Sequence, residues 1–360
     1  MQYEIDFIGV PDTDSADAIA FRWIKDDGTI GIGIYDGGTT KYAEALCELL
    51  DTYYFEDSDE IEDKVIDFVI CSHSDQDHCA GLQLIVENYN VQQLYLNIPW
   101  KFSKSLLQHA IYSQTTEESL IKNLKQKYPY VDSLEKAAKK CNTTICSCFQ
   151  DTVIDDYFCV LAPKKSDFIN NIINSDKTNL LESKESVFYA SQTDEFQYES
   201  WENEKLPDTN ETSYENESSV ILLGFDEEKS FLLTGDAGIN DLTSALNFSV
   251  EKKVSLRKLV YLYQLPHHGG GKNINPYVLN RLVGPIQPKN QFISKIGIAS
   301  AGTKGHHPYK IALNAFTRRG VSVYVTKGSN LHYSNCNFSE RNNYHSVQKE
   351  DIHKTVEKLV

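Results

Sequence analysis

At 360 residues, with 41% hydrophobic and 11% aromatic side chains, the chain has enough apolar material to bury a sizeable core and too much for a disordered polymer. That length exceeds the usual size of one domain, yet layered α/β folds with insertions reach it as a single unit. A formal net charge of -16 creates a field that repels polyanions, which disfavours tight nonspecific binding to nucleic acid.

The opening MQYEIDFIGV carries acidic residues where a secretion signal needs a basic start, and no apolar run approaches a membrane span. Both points predict a cytoplasmic protein. The eight cysteines, Cys47, Cys71, Cys79, Cys141, Cys146, Cys148, Cys159 and Cys336, contain no CxxC pair and read as reduced, mostly buried thiols.

In chain order, YEIDFIGV, AIAFRWI and GIGIYDGG are short apolar runs bounded by Asp, Gly or Ser, which predicts an opening β-meander. TTKYAEALCELLDTYYF places apolar residues at Tyr42, Ala45, Leu46, Leu49 and Leu50, a helical spacing. KVIDFVIC reads as a strand, GLQLIVENY as a helix and VQQLYLNI as the next strand. Residues 101–141 read as two or three helices forming an insertion, and TVIDDYFCVLAP returns to strand.

From about 175 to 217 the chain turns polar and acidic. Between Asp194 and Glu217 the only basic residue is Lys205, against nine Asp and Glu. Such a run predicts a solvated loop, although Phe196, Tyr198 and Trp201 leave a lid over a site as the other reading. The strands SSVILLGF, SFLLTGDAG, KLVYLYQLPHHGGG and KIGIASAGTKGHHP follow, then a helix, PYKIALNAFTRRG, and a strand, VSVYVT. Three of these strands end in Asp or His beside Gly, so polar groups collect at their carboxyl ends, where open α/β sheets bind ligands.

The densest chemistry lies in CSHSDQDHCAG, which follows KVIDFVI and holds His73, Asp75, Asp77 and His78. His73 and Asp75 are two apart, so in extended chain their side chains share a face, while Asp77 and His78 open the next helix. Any two of these residues would suit an ordinary polar loop. Four in six positions, with three similar strand ends downstream, argue for metal, because imidazole with carboxylate suits Zn²⁺, Mn²⁺ or Fe²⁺.

HSDQDH resembles the HxHxDH signature of the metallo-β-lactamase fold in an HxDxDH form, with Asp75 in place of the middle histidine. Gly235-Asp236-Ala237 resembles that fold's bridging-aspartate motif. LPHHGGG and GHHP, with the earlier ADAIAFRW…IYDGG, are similar to segments of the metallo-β-lactamase domain of bacterial DNA-uptake (competence) channel proteins and their stand-alone soluble relatives. The matches are scattered over residues 6–330 and leave 101–141, the acidic segment and the tail unmatched.

This resemblance implies a four-layered αβ/βα sandwich, two mixed sheets face to face with helices outside and metals at one edge. It would occupy residues 1–330, with a helical insertion at 101–141, an acidic loop insertion at 175–217 and a C-terminal extension at 331–360. It also implies two divalent metal ions, Zn or Mn. His73 and Asp75 would hold the first, Asp77, His78 and His268 the second, and Asp236 would bridge them. His267 would contact a substrate oxyanion, although adjacent histidines can exchange roles, and His307 would serve as general acid. The family's third histidine on the first metal has no counterpart, and Asn216 stands nearby as a further candidate ligand.

By the same resemblance the chain would be a metal-dependent hydrolase acting on a phosphodiester, either a small nucleotide or nucleic acid. Lys252, Lys253, Arg257, Lys258 and Lys304 offer a local basic groove, although such residues usually form a solvated face. The same fold also supports hydrolysis of carbon esters, lactones and amides. A third reading is a catalytically weak partner-binding module of the kind that accompanies bacterial defence systems. No GxSxG suggests a serine nucleophile. His109, His332, His345 and His353 read as ordinary histidines.

Overall fold

The computed structural model of the chain describes all residues except 57, 59, 110–114, 179, 181–194, 210, 227–228, 290, 337, 339–340, 342–343 and 360. Six strands build most of the first sheet: β1 (Gln2–Phe7), β2 (Ala18–Ile24), β3 (Ile30–Gly37), β4 (Val65–Ile70), β5 (Asn90–Tyr95) and β6 (Thr144–Cys146). The second sheet takes β7 (Val153–Ile154) and β8 (Phe158–Ala162). After β9 (Phe196–Tyr198), which lies outside it, the same sheet takes β10 (Ile221–Gly224), β11 (Ser230–Leu233), β12 (Val260–Gln264), β13 (Ile296–Ala299) and β14 (Ser322–Val325). β15 (Leu331–Ser334) returns to the first sheet, and β16 (Thr355–Glu357) pairs with β9.

Among the described residues the first sheet runs β15-β1-β2-β3-β4-β5-β6 and the second β14-β13-β12-β11-β10-β8-β7. Strands β3 to β6 are parallel, and so are β11 to β14, while the remaining pairs within the two sheets are antiparallel. Strand alternation decides which residues face the partner sheet. Tyr3, Ile5 and Phe7 of β1, Phe21 and Trp23 of β2, and Phe68 of β4 meet Phe158 and Phe231 in one core between the sheets. The Trp23 and Phe158 rings lie 4.7 Å apart edge to face, a favoured aromatic geometry.

Helices cover both outer faces. Thr40–Leu49, Leu82–Asn88 and Pro129–Lys140 pack on the first sheet, and Ile239–Glu251, Pro276–Leu282 and Lys310–Arg318 on the second. The chain is therefore a mixed α/β structure of two large sheets flanked by helices, an α/β sandwich. The expected helices within 101–141 are present as Ser103–Leu107, Glu117–Lys127 and Pro129–Lys140. No helix among the described residues is long and apolar enough to cross a membrane.

The acidic stretch departs from the solvated loop expected of it. Residues 179, 181–194 and 210 lie outside the described residues, and part of the rest is docked. Glu199 is buried against Arg318, 3.0 Å away, and Glu204 meets Arg319 at 2.6 Å. Trp201 donates to the Gln287 carbonyl at 2.9 Å, whereas Phe196 and Tyr198 are exposed. Buried arginines of the helix Lys310–Arg318 and its end neutralise these carboxylates, which composition alone does not reveal.

The chain beyond residue 330 is woven into both sheets' surroundings. β15 pairs antiparallel with β1. Arg341 binds Glu4 at 2.5 Å and Asp6 at 2.8 Å on the outer face of β1.

Candidate metal centre

Every group of the site stands at one end of the two sheets. Asp36 closes β3, the loop Cys71–Asp75 follows β4, Asp236 follows β11, His267 and His268 follow β12, and His307 lies beyond β13. These are carboxyl ends of parallel strands, so the topology gathers them at one edge of the sandwich. Asp17 joins from the residue before β2, which runs the other way.

The site has a buried floor and a more open rim. Asp17, Asp36, His73, His78, Asp236 and His268 are buried, while Asp75, Asp77 and His267 keep 30%, 37% and 30% of their side chains exposed.

Asp236 divides the cluster in two. Its Oδ1 lies 3.1 Å from His78 Nε2 and 3.8 Å from His268 Nε2, and Asp77 Oδ2 closes that side at 3.3 Å from His268 Nε2. Its Oδ2 lies 3.4 Å from His267 Nε2 and 3.9 Å from His73 Nε2, with Asp75 Oδ2 3.8 Å from His73. Among the described residues the buried atoms His73 Nε2, His78 Nε2 and Asp236 Oδ1 have no hydrogen-bond partner. Buried polar atoms are normally satisfied, so a divalent cation fits this donor set. Asp17, His78, Asp236 and His268 together form a buried group with ligand atoms all within 4.8 Å of one another that could bind a metal ion.

Behind the imidazoles stand groups that fix which nitrogen faces inward. Asp36 Oδ2 lies 2.8 Å from His78 Nδ1. Ser72 Oγ donates to the same oxygen at 2.6 Å, so it accepts from His73 Nδ1 at 3.0 Å. Asp17 lies 3.7 Å from the Nδ1 atoms of both His78 and His268 and is itself held by Gln264 at 2.7 Å. Asn273 donates to the Asp236 carbonyl at 2.8 Å, which leaves its oxygen for His267 Nδ1 at 2.9 Å. With protons held on Nδ1, the Nε2 lone pairs of His73, His78 and His267 point into the site, the usual preparation of a metal-binding histidine.

The histidine pair depends on an unusual backbone. His267 and His268 have φ of 51° and 55°, the left-handed region that costs non-glycine residues of order 1–3 kcal/mol each. Hydrogen bonds from His267 N to the Gly235 carbonyl at 3.0 Å and from Gly270 N to the Pro266 carbonyl at 2.9 Å hold the turn. Gly235, at φ +50°, has no room for a side chain, since a Cβ there would stand 2.9 Å from Ser72 Cβ.

Charge in the cluster is unbalanced without a cation. Burial disfavours a protonated His268, but Asp236 and Asp17 outweigh it and raise its pKa to about 10. Burial opposes His78 in the same way, and Asp236, Asp77 and Asp36 carry it well above the ordinary value. Asp236 is driven far down despite its burial, by His267, His78 and His268. Burial and then His78 lower His73. Protons on His78 and His268 thus compete with any metal ion for the same nitrogens.

Several sequence expectations change in place. His267 Nε2 faces the same Asp236 oxygen as His73, so the structure brings it beside that side of the cluster. Asn216 turns away, its oxygen accepting from Ser213 and its amide donating to Thr212. Asp75 is shared with Lys177, whose Nζ lies 2.6 Å from its Oδ1. His307 stands over the site, its ring 4.8 Å from that of His267 and 5.7 Å from that of His268. Burial and those two imidazoles lower its pKa to about 2, so at neutral pH it is uncharged. Asp17 and Asp36 received no role from sequence, though both lie in the stretches ADAIAFRW and IYDGG that carried the resemblance.

Compared with models of protein families, the chain matches none, and a comparison with curated proteins likewise finds no match.

Proposed function

We propose that the protein is a metal-dependent hydrolase of phosphodiester bonds, with the sandwich being of the metallo-β-lactamase type. The observation that carries this reading is Asp236, each of whose carboxylate oxygens faces a separate group of imidazoles and carboxylates. That arrangement fits two divalent ions, Zn or Mn, one held by His73, Asp75 and His267 and the other by Asp77, His78 and His268, with Asp236 shared. Asp17 supports the second group from the Nδ1 side of its histidines.

Bound divalent ions would supply Lewis acidity, acidifying water toward neutrality and offsetting anionic charge on the substrate. The chain's own groups do the rest. Asp36, Ser72 and Asn273 hold the imidazoles in register, so little reorganisation accompanies reaction. His307, neutral and beside the rim, donates a ring N–H to an oxygen of the phosphodiester. As negative charge develops on the leaving oxygen, that N–H hydrogen bond strengthens and offsets it.

The test is turnover of bis(p-nitrophenyl) phosphate with added Mn²⁺ or Zn²⁺, compared with p-nitrophenyl acetate. Metal-dependent cleavage of the phosphodiester, abolished in Asp236→Ala and Asp77→Ala, is the expected result. Cleavage of the acetate alone would move the assignment to carbon esters, and failure of both substrates would remove the hydrolase reading.

A further inference from the structure

One cation already sits at the centre, and it belongs to the chain. Lys177 Nζ lies 2.6 Å from Asp75 Oδ1, while the other oxygen of Asp75 faces His73. Among the described residues no lysine or arginine is paired with Asp77, whose near neighbour is His268. The two halves of the cluster are therefore unequal before any metal arrives.

Lys177 is not a loose surface lysine. It rides on a turn at the end of the helix Lys165–Asn174. In that turn the Thr178 amide donates to the Ser175 carbonyl at 3.1 Å. The Thr178 hydroxyl donates to the Ile172 carbonyl at 2.7 Å, and the Lys177 amide donates to Ser175 Oγ at 3.1 Å. Ser175 Oγ is in turn bound to buried Glu215 at 2.6 Å. The ammonium lies 6.0 Å from the centre of the Tyr128 ring. A backbone fixed in this way reduces the entropy lost when the side chain reaches Asp75, so the pair holds better than most half-exposed ones.

We propose that Lys177 is an internal competitor for the metal of the His73 side, so that the centre binds its two ions with unequal affinity. The tight ion occupies Asp77, His78 and His268 with Asp236 Oδ1. The weak one must displace Lys177 from Asp75, or bind beside it against its charge. This inference rests on the metal reading above and adds to it the order of loading and the residue that sets it. Occupancy of the weak position then frees the lysine side chain, making Lys177 available to an anionic group of the substrate.

The experiment is a calorimetric titration of chelator-treated full-length protein with Mn²⁺, with elemental analysis after gel filtration. Wild type is expected to retain close to one ion and to bind the second only at higher concentration. Lys177→Met, which keeps the stem and removes the charge, should tighten the weak step about tenfold, the effect of removing a unit charge a few ångströms from a divalent ion in half-solvated surroundings. The tight step should not change, and Lys177→Arg should preserve the asymmetry. Two equal steps in wild type, or a weak step that Lys177→Met leaves unmoved while its thermal melt matches wild type, would overturn the proposal and leave the metal reading standing. No Mn²⁺ or Zn²⁺ bound by wild type would overturn both.

Discussion

Asp36 accepts two hydrogen bonds from Ser72 and stands 2.8 Å from His78 Nδ1, so one buried carboxylate orients the imidazoles on both sides of the cluster. His78 is held directly, and His73 through the Ser72 hydroxyl. Removing such a support costs 10- to 100-fold, on the order of that range, in metal affinity. Asp36→Asn is therefore expected to weaken both metal steps in a calorimetric titration. Ser72→Ala should weaken chiefly the step on the His73 side. Equal affinities in Asp36→Asn and wild type would show that His78 is oriented by its packing instead.

His267 and His307 face the same space but should separate cleanly. His267→Ala removes a ring nitrogen from the His73 side and is expected to lower metal content. His307→Ala should leave metal content unchanged and lower the rate of phosphodiester cleavage by about 10²-fold or more, the ordinary weight of a hydrogen-bond donor to charge that develops in the transition state. Elemental analysis and turnover measured on the same preparations decide the matter.

Metal-free protein should have a distinctive stability profile. In the folded state His268 titrates at about 10 against 6.5 for the free side chain. A raised pKa means that the folded state binds the proton more tightly. Its contribution is complete below pH 6.5 and fades between pH 6.5 and 10. Urea unfolding of chelator-treated protein is expected to shift to lower midpoints across that range, and His268→Ala should flatten the trend. Added Mn²⁺ should stabilise more at pH 8 than at pH 6.5, because fewer ligand protons then have to be displaced.

Docking of the acidic segment hangs on Arg318 and Glu199, a pair with both side chains fully buried. Arg318 also donates to the Ser200 carbonyl at 2.6 Å. Arg318→Ala leaves Glu199 as an unpaired buried carboxylate, which costs about 3–5 kcal/mol. The guanidinium chloride midpoint should fall accordingly, while Glu195→Ala, whose partner Lys358 is exposed, should change it little.

Much of this architecture is legible in the residues. Strands such as AIAFRWI and VYLYQ are short, apolar and bounded by turn signals, and they form as β2 and β12. The four ligand-type residues of HSDQDH also gather as their spacing suggests. The helix Ile239–Glu251 is hidden, because Asn240, Thr243, Ser244, Asn247 and Ser249 are weak helix formers and its stability comes from packing Leu242, Ala245 and Leu246 on the second sheet. The placement of His267 is equally hidden, since it follows from a left-handed turn that rotates adjacent histidines toward different oxygens of one aspartate. Docking of Glu199 and Glu204 depends on arginines more than a hundred residues away.

The strand β15 also has a protective role. On one side β1 pairs with β2, and on the other β15 covers it while Arg341 neutralises Glu4 and Asp6. Trimming the chain back to residue 330 would turn β1 into a bare edge, a template for strand addition by neighbouring molecules, and would strip Asp6 of Arg341 while Glu4 kept only Arg22. Preparations cut at that point should self-associate, so fragments intended for crystallography or assay need to reach at least Glu357.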